Sequence, residues 1–441
     1  MDGCVGREKE LEFLTDLWGK VPVSCAVCGR RHLGKTALMR EFTRDKDYIY
    51  ISGTHGLRSD NLEEINRSLS RFSGKRERVS DISGLFPRIK EVCGGRKVVV
   101  ILDQLGELSE NFEELNAYLR GFVNREMGST RIMLVACDSD NSLFGRFYYT
   151  LELKPLGYLE CKGFHPGYTP MQHLIAYAVA GGTPAYQHQF GEGDPMGVIR
   201  GQMFNHMSVF SLEAEGMVYS EAMSQAGCTK VLSAIAGGAE SIRQISARTG
   251  FSSSYCTKMV EDMEHKGLLS SEVSSGASRR AVYSIRSNML SFYYHVVYRH
   301  AHMAEFGTPE EVFAMAEGDF DAYMESAFKS VCMDYVARIF DYKFIGRVRK
   351  KDDTVDDVID FIASVSDQKK DRVVVASCRL KGDPLGKPEL DELSDRAKRV
   401  GGTNRILMLF SGCGFSPELE KAAARSASVR LLSLDDVYAD P

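Results

Sequence analysis

Short apolar runs alternate with segments of helical periodicity through the first third of the chain. Between the runs, apolar residues recur three or four positions apart, as they do on one face of a helix. The runs have the length and the β-branched content of buried strands, and they are VPVSCAVC at 21–28, YIYIS at 48–52, VVVIL at 98–102, RIMLVAC at 131–137 and TLELKPL at 150–156. Strands that alternate with helices predict an α/β fold with a parallel sheet covered on both faces.

The middle of the chain has a different pattern. SIRQISARTG at 241–250 and SSYCTKMVEDMEHK at 253–266 each place apolar residues at helical spacing, with a short glycine-containing turn between them. Two β-prone runs follow, at 268–273 and 281–285, on either side of SSGASRR. Two helices followed by a hairpin predict a winged helix.

From Phe320 the pattern predicts a helix, a hairpin and then strands that alternate with helices. The helix is FDAYMESAFKSVCMDYV at 320–336, and the strands include VIDFIASV at 358–365, RVVVASCRL at 372–380 and RILMLF at 405–410. The order predicts a second α/β domain.

Composition limits the class of protein. A chain of 441 residues is too long for one compact core. Its net charge of −5 and its pI near 6.1 argue against uniform wrapping around nucleic acid, although a local basic patch stays open. No signal-peptide pattern begins the chain, and no apolar run approaches the roughly 20 residues of a membrane helix. The eleven scattered cysteines are typical of free thiols in a reducing compartment, so a soluble cytoplasmic protein without a membrane partner is expected.

A phosphate-binding loop follows the first strand. GRRHLGKT at 29–36 matches GxxxxGK[ST] and is followed by a helical segment, the context that such a loop requires. Backbone N–H groups of the loop and the helix N-terminus favour phosphate. Lys35 is expected to reach the β- and γ-phosphates, and Thr36 is expected to bind Mg²⁺ together with Asp103 at the end of the third strand. The predicted ATP-binding residues are Gly29, Arg30, Arg31, His32, Leu33, Gly34, Lys35, Thr36 and Ala37.

Six motifs occur in the order seen in the archaeal-type ATPases, AAA-related P-loop proteins that the whole chain resembles. They are VGREKELEFL at 5–14, VCGRRHLGKT at 27–36, the Asp103 strand, LFGR at 143–146, LKPL at 153–156 and GGTPAY at 181–186. The resemblance implies a sheet of order 5-1-4-3-2, and it implies that Gly6 and Arg7 frame the base. It also places Arg146 near phosphate, with a surface salt bridge as the alternative.

The same resemblance divides the chain into four domains. A P-loop core at 1–158 is followed by a helical lid at 159–222, a winged helix at 223–300 and a restriction-endonuclease-like domain at 301–441.

The chain departs from the family beside Asp103, where Gln104 stands in place of a glutamate. An amide can orient water but cannot accept its proton, and loss of general-base help costs ~10²–10⁴-fold in rate. Asp138, at the end of the next strand, is a candidate substitute base, although it would otherwise repel the nucleotide or lie in a solvated loop. Glu107 is a weaker candidate. Slow hydrolysis is therefore expected.

The tail departs further. Asp360 keeps one acid of the nuclease pattern, whereas Glu-x-Lys becomes Ser377-Cys378-Arg379 and the helix glutamate becomes Lys329. One acid beside two cations is a poor Mg²⁺ site, so we expect no nuclease activity and a tail retained for binding a protein or DNA. A displaced acidic cluster is the alternative to a solvated hairpin for Asp352, Asp353, Asp356 and Asp357.

DNA contact by the winged helix is expected to be weak. Its second helix carries Glu261 and Asp262 beside Lys258, and the cations Arg279 and Arg280 lie on the wing. A purely structural role is the alternative.

The leading hypothesis is an ATP-binding P-loop ATPase with impaired hydrolysis, in which nucleotide state controls the winged helix and the inactive tail. The first alternative is an ATP-bound scaffold without turnover that binds DNA or protein. The second is an ATP-regulated nuclease.

Overall fold

The computed structural model describes residues 4–139, 147–205, 207–221, 225–273, 281–303, 306–348, 358–367, 370–402 and 404–439. The chain forms two compact units: Met1–Gly163 with Gly182–Ala185, and Phe164–Gly181 with Tyr186–Pro441. The strands are β1 Val23–Cys28, β2 Tyr48–Ser52, β3 Val98–Asp103, β4 Ile132–Asp138, β5 Tyr149–Glu152, β6 Leu269–Val273, β7 Ala281–Ile285, β8 Asp341–Arg347, β9 Phe361–Asp367, β10 Lys370–Arg379, β11 Arg405–Ser411 and β12 Val429–Ser433.

Short 3₁₀ and π turns precede or follow some of the helices. The helices are α1 Glu8–Gly19, α2 Lys35–Phe42, α3 Arg58–Ser73, α4 Leu85–Cys93, α5 Leu105–Asn111, α6 Leu115–Gly121, α7 Pro170–Ala180, α8 Pro184–Gln187, α9 Pro195–Val198, α10 Val209–Glu221, α11 Gln225–Ala236, α12 Ile242–Thr249, α13 Ser253–His265, α14 Asn288–Phe292, α15 Tyr298–His300, α16 Pro309–Ile339, α17 Lys387–Ala397, α18 Pro417–Ala424 and α19 Leu434–Tyr438. Among the described residues, no helix has the length and apolar character needed to cross a membrane.

The first unit contains a parallel sheet of five strands in the order β2-β3-β4-β1-β5. This is the predicted order 5-1-4-3-2 read from the other edge, so the predicted fold is confirmed. Every residue of β1, β3 and β4 is buried, as expected for strands covered on both faces.

Adjacent residues of β1 serve different apolar layers, because successive strand side chains point to opposite faces. Cys25 and Val27 pack with Leu14 and Leu38 of α1 and α2. Cys28 packs in the other layer, which includes residues of α3 to α6. Cys25 and Cys28, although only three positions apart, therefore lie on opposite sides of the sheet.

The fifth strand is shorter than its apolar pattern predicted. The N–H group of Leu153 still donates to the carbonyl of Cys28 at 2.7 Å, but regular pairing ends before Pro155, which has no N–H group. The N–H group of Leu156 donates instead to the carbonyl of Gly182 at 2.8 Å. A Cβ atom on Gly182 would overlap the backbone of Leu156, so this close approach between the LKPL and GGTPAY motifs requires glycine at position 182.

The second unit contains the helix pair and hairpin that the middle of the chain predicted. Ser241 and Gln244 form a capping box at the start of α12, Gly250 ends it in the left-handed conformation, and Ser252 caps α13. Strands β6 and β7 pair antiparallel. The connecting residues 274–280, with Arg279 and Arg280, lie outside the described residues.

The remaining part of the second unit contains a sheet of order β12-β11-β10-β9-β8. Strands β8, β9 and β10 are antiparallel, whereas β10, β11 and β12 are parallel. The long helix α16 begins at Pro309, earlier than the predicted start at Phe320, because Thr308 and Glu311 form a capping box and Phe313 continues the buried face.

Candidate nucleotide-binding site

The phosphate loop runs from the end of β1 to the start of α2. Gly29, His32 and Gly34 have φ values of 147°, 68° and 87°, so left-handed and ordinary conformations alternate along it. Such alternation lets a loop turn its N–H groups toward an anion. A Cβ on Gly29 would lie 2.7 Å from the carbonyl oxygen of Leu153, which explains why the motif needs glycine there.

The amine of Lys35 lies against this loop. It donates to the carbonyl of Arg30 at 3.0 Å and also to the carbonyl of Gly29. Burial lowers the pKa of Lys35 from its usual value, and the negative charges of Asp103 and Asp138 oppose that change. The amine is thus held by two backbone carbonyls of the loop, and its contact with phosphate stays a prediction.

Asp103 ends β3 and is only 3% exposed. Its Oδ2 atom accepts a hydrogen bond from the Thr36 hydroxyl at 2.9 Å, and its Oδ1 atom accepts one from the N–H group of Gln104 at 3.0 Å. Hydroxyl and carboxylate oxygens are suitable Mg²⁺ ligands. The sequence predicted this pair, and the structure brings it together.

Tyr50 is a site residue that the sequence did not reveal. Its hydroxyl donates to the same Oδ2 atom of Asp103 at 2.5 Å, from the neighbouring strand β2. Burial and the bond to Asp103 raise the pKa of Tyr50, so the phenol stays protonated and acts as a donor. The available signal was its place in β2, because β2 and β3 lie side by side in the sheet that the motifs implied.

Gln104 occupies a strained position at the start of α5. Its φ of 54° and ψ of 52° are left-handed, a conformation that costs a non-glycine residue ~1–3 kcal/mol. Its carbonyl accepts the N–H group of Leu108 at 3.3 Å, and the residue is exposed. Gln104 therefore follows Asp103 directly at the carboxyl edge of the sheet.

Asp138 is buried, with 9% exposure, which differs from the alternative of a solvated loop aspartate. It is the last residue of β4, and its carboxylate accepts the N–H groups of Gly106 and, at 2.5 Å, of Ser139. Gly106 belongs to the first turn of α5, so Asp138 fixes the helix that follows Gln104. The predicted role as a base is a separate matter and stays a prediction.

Glu107 connects the phosphate loop with α5. Its side chain is 14% exposed, and one carboxylate oxygen lies 3.8 Å from the Arg31 guanidinium. The other oxygen contacts the imidazole of His55, in the segment after β2. No sequence pattern indicates the His55 contact, since nothing in the spacing places residue 55 beside residue 107.

Arg7 lies beneath the phosphate loop and is 4% exposed. Its guanidinium donates to the carbonyls of Leu33 at 3.2 Å and Lys154 at 2.7 Å, and it pairs with Glu10. Arg7 therefore ties the loop to the chain after β5. The implied contact of Gly6 and Arg7 with the base stays a prediction.

Some predicted residues fall outside the described part of the chain. Arg146 of the LFGR motif is one of them. So are four tail acids, Asp352, Asp353, Asp356 and Asp357.

In the tail, the residues mapped onto the nuclease pattern do meet. The amine of Lys329 lies 2.6 Å from Oδ1 of Asp360, and Oδ2 of Asp360 accepts the N–H group of Cys378 at 2.6 Å. Arg379 points to another partner, Glu389, at 3.1 Å. The carboxylate of Asp360 is thus neutralised by a lysine of α16.

Comparison with known proteins gives distant similarities. No family model matches the chain. It is similar to an uncharacterized protein of Methanocaldococcus jannaschii, with 23% identity over 355 residues that cover 76% of this chain and 77% of that protein.

Among solved structures, the chain is similar to the Walker-type ATPase of Pyrococcus abyssi, with 16% identity, a TM-score of 0.49, and coverage of 66% of this chain and 95% of that one. It is also similar to the Orc1 protein of Aeropyrum pernix in complex with DNA, with 14% identity, a TM-score of 0.35, and coverage of 66% and 92%. Because these values are low, the assignment of a P-loop ATPase fold rests on the strand order and on the geometry around Lys35, Thr36 and Asp103.

Proposed function

We propose that this chain is an archaeal-type P-loop ATPase that binds ATP with Mg²⁺ and hydrolyses it slowly. The observation that carries the proposal is the hydrogen bond between Thr36 and Asp103, beside the Lys35 amine and the glycine-framed loop. Mg²⁺ in such a site neutralises charge on the β- and γ-phosphate oxygens. Thr36 and Asp103 would hold the ion, and Lys35 would exchange its carbonyl contacts for phosphate.

Slow hydrolysis is supported by what surrounds the expected position of water. Gln104 offers an amide, which orients water without accepting a proton. The carboxylate of Asp138 is already engaged by the backbone N–H groups of Gly106 and Ser139. Taking up a proton there would weaken contacts that fix the first turn of α5.

The test separates binding from turnover. A fluorescent ATP analogue should bind the full chain with Mg²⁺, and Lys35→Ala should weaken binding strongly. Equal binding by both proteins would reject the site.

Single-turnover hydrolysis should then be slow in the wild type and faster in Gln104→Glu, because the substitution restores a proton acceptor. Gln104→Ala is the matched control, since it removes the amide without supplying an acid, and it should not accelerate the reaction. Fast ATP hydrolysis by the wild type would contradict the proposed impairment of hydrolysis. Loss of that activity in Asp138→Asn would then assign the base to Asp138.

A second role concerns the rest of the chain. We propose that α12, α13 and the β6–β7 hairpin form a winged helix, and that the tail is a restriction-endonuclease-like domain kept for binding DNA or protein. The Lys329–Asp360 ion pair supports an inactive tail, because the lysine satisfies the carboxylate that a metal would need. Metal-dependent nicking of DNA that disappears in Asp360→Ala would reject this proposal.

Nucleotide state is proposed to control what the winged helix and the tail bind. The eleven cysteines are free thiols, which is typical of the reducing cytoplasm, where we place the protein. A non-hydrolysing ATP-bound scaffold is the second candidate, and Gln104 is the feature that favours it.

A further inference from the structure

A cavity of about 450 Å³ lies in the second unit, between the β6–β7 hairpin and helices α7, α14 and α16. This volume falls within the range of small-molecule sites. Besides four serines, its polar lining contains two groups that bear on ligand choice. They are three tyrosines and three carboxylates: Tyr177, Tyr283, Tyr323, Glu240, Glu272 and Asp334.

The lining carries an excess of negative charge. Among the lining residues, the permanent cation is Arg347, which donates to the hydroxyls of Ser326 at 3.4 Å and Ser330 at 3.3 Å. His295 adds no charge at neutral pH, because burial lowers its pKa and outweighs the opposite effect of the 2.7 Å hydrogen bond between Nδ1 and the Ser291 carbonyl. One guanidinium therefore faces three carboxylates.

Two of these acids lack a counter-ion. Within the described part of the chain, neither Glu272 nor Asp334 forms an ion pair. Partial desolvation in the cavity, with the charge of Glu272 added to it, raises the pKa of Asp334 to about 6, although both side chains keep access to solvent. The two carboxylates repel one another, and a cation between them would relieve that repulsion.

The tyrosines decide what kind of cation fits. Aromatic faces attract ammonium and guanidinium groups, and the attraction is strongest when the cation is desolvated. A metal ion fits less well, because it needs several oxygens at close range. Among the described residues, the three cavity carboxylates do not gather within 4.8 Å of one another as a metal-binding set.

We propose that this cavity binds a small organic cation bearing ammonium or guanidinium groups, with Glu272 and Asp334 as counter-ions and the tyrosines as walls. The site belongs to the second unit and does not depend on the phosphate loop. Binding should therefore survive Lys35→Ala.

Calorimetric titration of the full chain tests the proposal with two probes, spermidine for ammonium and N-acetylarginine amide for guanidinium. At least one probe should saturate one site, and the tighter probe identifies the preferred group. The double variant Glu272→Gln/Asp334→Asn should weaken that binding at least tenfold. The matched control Glu310→Gln/Asp391→Asn removes the same charge from exposed positions that do not line the cavity, and it should bind as the wild type does.

Absence of saturable binding for both probes would overturn the proposal, and so would an equal loss in the control, which would show attraction to overall charge only. If the double variant does not fold, Tyr283→Leu replaces it, because leucine keeps apolar bulk without the aromatic face. That variant should bind severalfold more weakly. Unchanged binding in Tyr283→Leu would show that the aromatic rings do not contribute to binding of the cation, which contradicts the proposal.

Discussion

Both oxygens of the Asp103 carboxylate are engaged by protein groups, and one oxygen serves two donors. Oδ2 accepts the hydroxyls of Thr36 and Tyr50, whereas Oδ1 accepts the N–H group of Gln104. Asp103 is held in a single orientation before any metal arrives. The Tyr50 hydroxyl also competes for an oxygen that a bound metal or its water would use.

Tyr50→Phe should therefore lower the Mg²⁺ concentration needed for nucleotide binding. A hydrogen bond to a charged group contributes ~1.5–3 kcal/mol, so a shift of roughly tenfold to a hundredfold is expected. Titration of Mg²⁺ at fixed fluorescent ATP measures it. Tyr48→Phe, at an exposed position of the same strand, should leave the requirement unchanged. A higher Mg²⁺ requirement in Tyr50→Phe would show that the phenol positions Asp103 rather than competing for it.

Asp334 gives a pH-dependent prediction at the same scale. Its folded pKa of about 6 lies above its ordinary value of 3.8, so the ionised form is less favourable in the folded state. The destabilisation is fully present above about pH 6 and disappears as the pH falls toward 4. Asp334→Asn should raise Tm at pH 8 and leave it unchanged at pH 4. Thermal melts of both proteins between pH 4 and pH 8 measure the effect. A gain in Tm that persists at pH 4 would exclude the charge of Asp334 as its cause.

At the scale of elements, close backbone approach replaces strand pairing where β5 ends. The hydrogen bond between Leu156 and Gly182 joins the LKPL and GGTP segments, and it requires a residue without a side chain at 182. Residues 164–181, between Leu156 and Gly182, belong to the second unit, so the bond joins two parts of the first unit that are separate in the sequence.

Gly182→Ala should destabilise the first unit by about 3 kcal/mol, at the upper end of the cost of overpacking, because the clash is with backbone and has no flexible neighbour to absorb it. Gly216→Ala is the control. Gly216 lies within α10 with open space around its Cβ position, and alanine there should stabilise by roughly 1 kcal/mol. Chemical denaturation of both variants gives the comparison. Equal midpoints would contradict the close approach.

The helix pair α12 and α13 of the second unit shows that local sequence patterns can predict helix boundaries. Ser241, Gly250 and Ser252 bound α12 and α13 at nearly the residues that periodicity indicated. On α13, Glu261 is exposed, and Asp262 pairs with Lys266 at 3.1 Å. Within the described residues, Lys258 is therefore the cation of this helix that has no ion-pair partner. The element forms as expected, and its charges favour only weak contact with phosphate.

For the whole molecule, the net charge of −5 opposes DNA binding except through a local patch. Neutralising Arg279 and Arg280 together should lower affinity about equally on all sequences and reduce the salt dependence by roughly two phosphate contacts. Lys258→Ala should matter less. Anisotropy titrations at several salt concentrations measure these effects. Tight, sequence-selective binding that is insensitive to the two arginines would mean that α13 reads bases.

The sequence by itself determined the phosphate loop, the order of strands and helices, and, through the motif resemblance, the order of the sheet. It did so because glycine spacing, capping residues and apolar periodicity act over a few positions. The contacts of Tyr50 with Asp103, of Asp138 with α5 and of Lys329 with Asp360 were decided by the tertiary structure alone. Each joins residues that are more than thirty positions apart, or the ends of separate elements, and no local pattern specifies which side chain meets which. The charged cavity beside α16 has the same origin, since its tyrosines and acids come from distant segments that only packing gathers around one space.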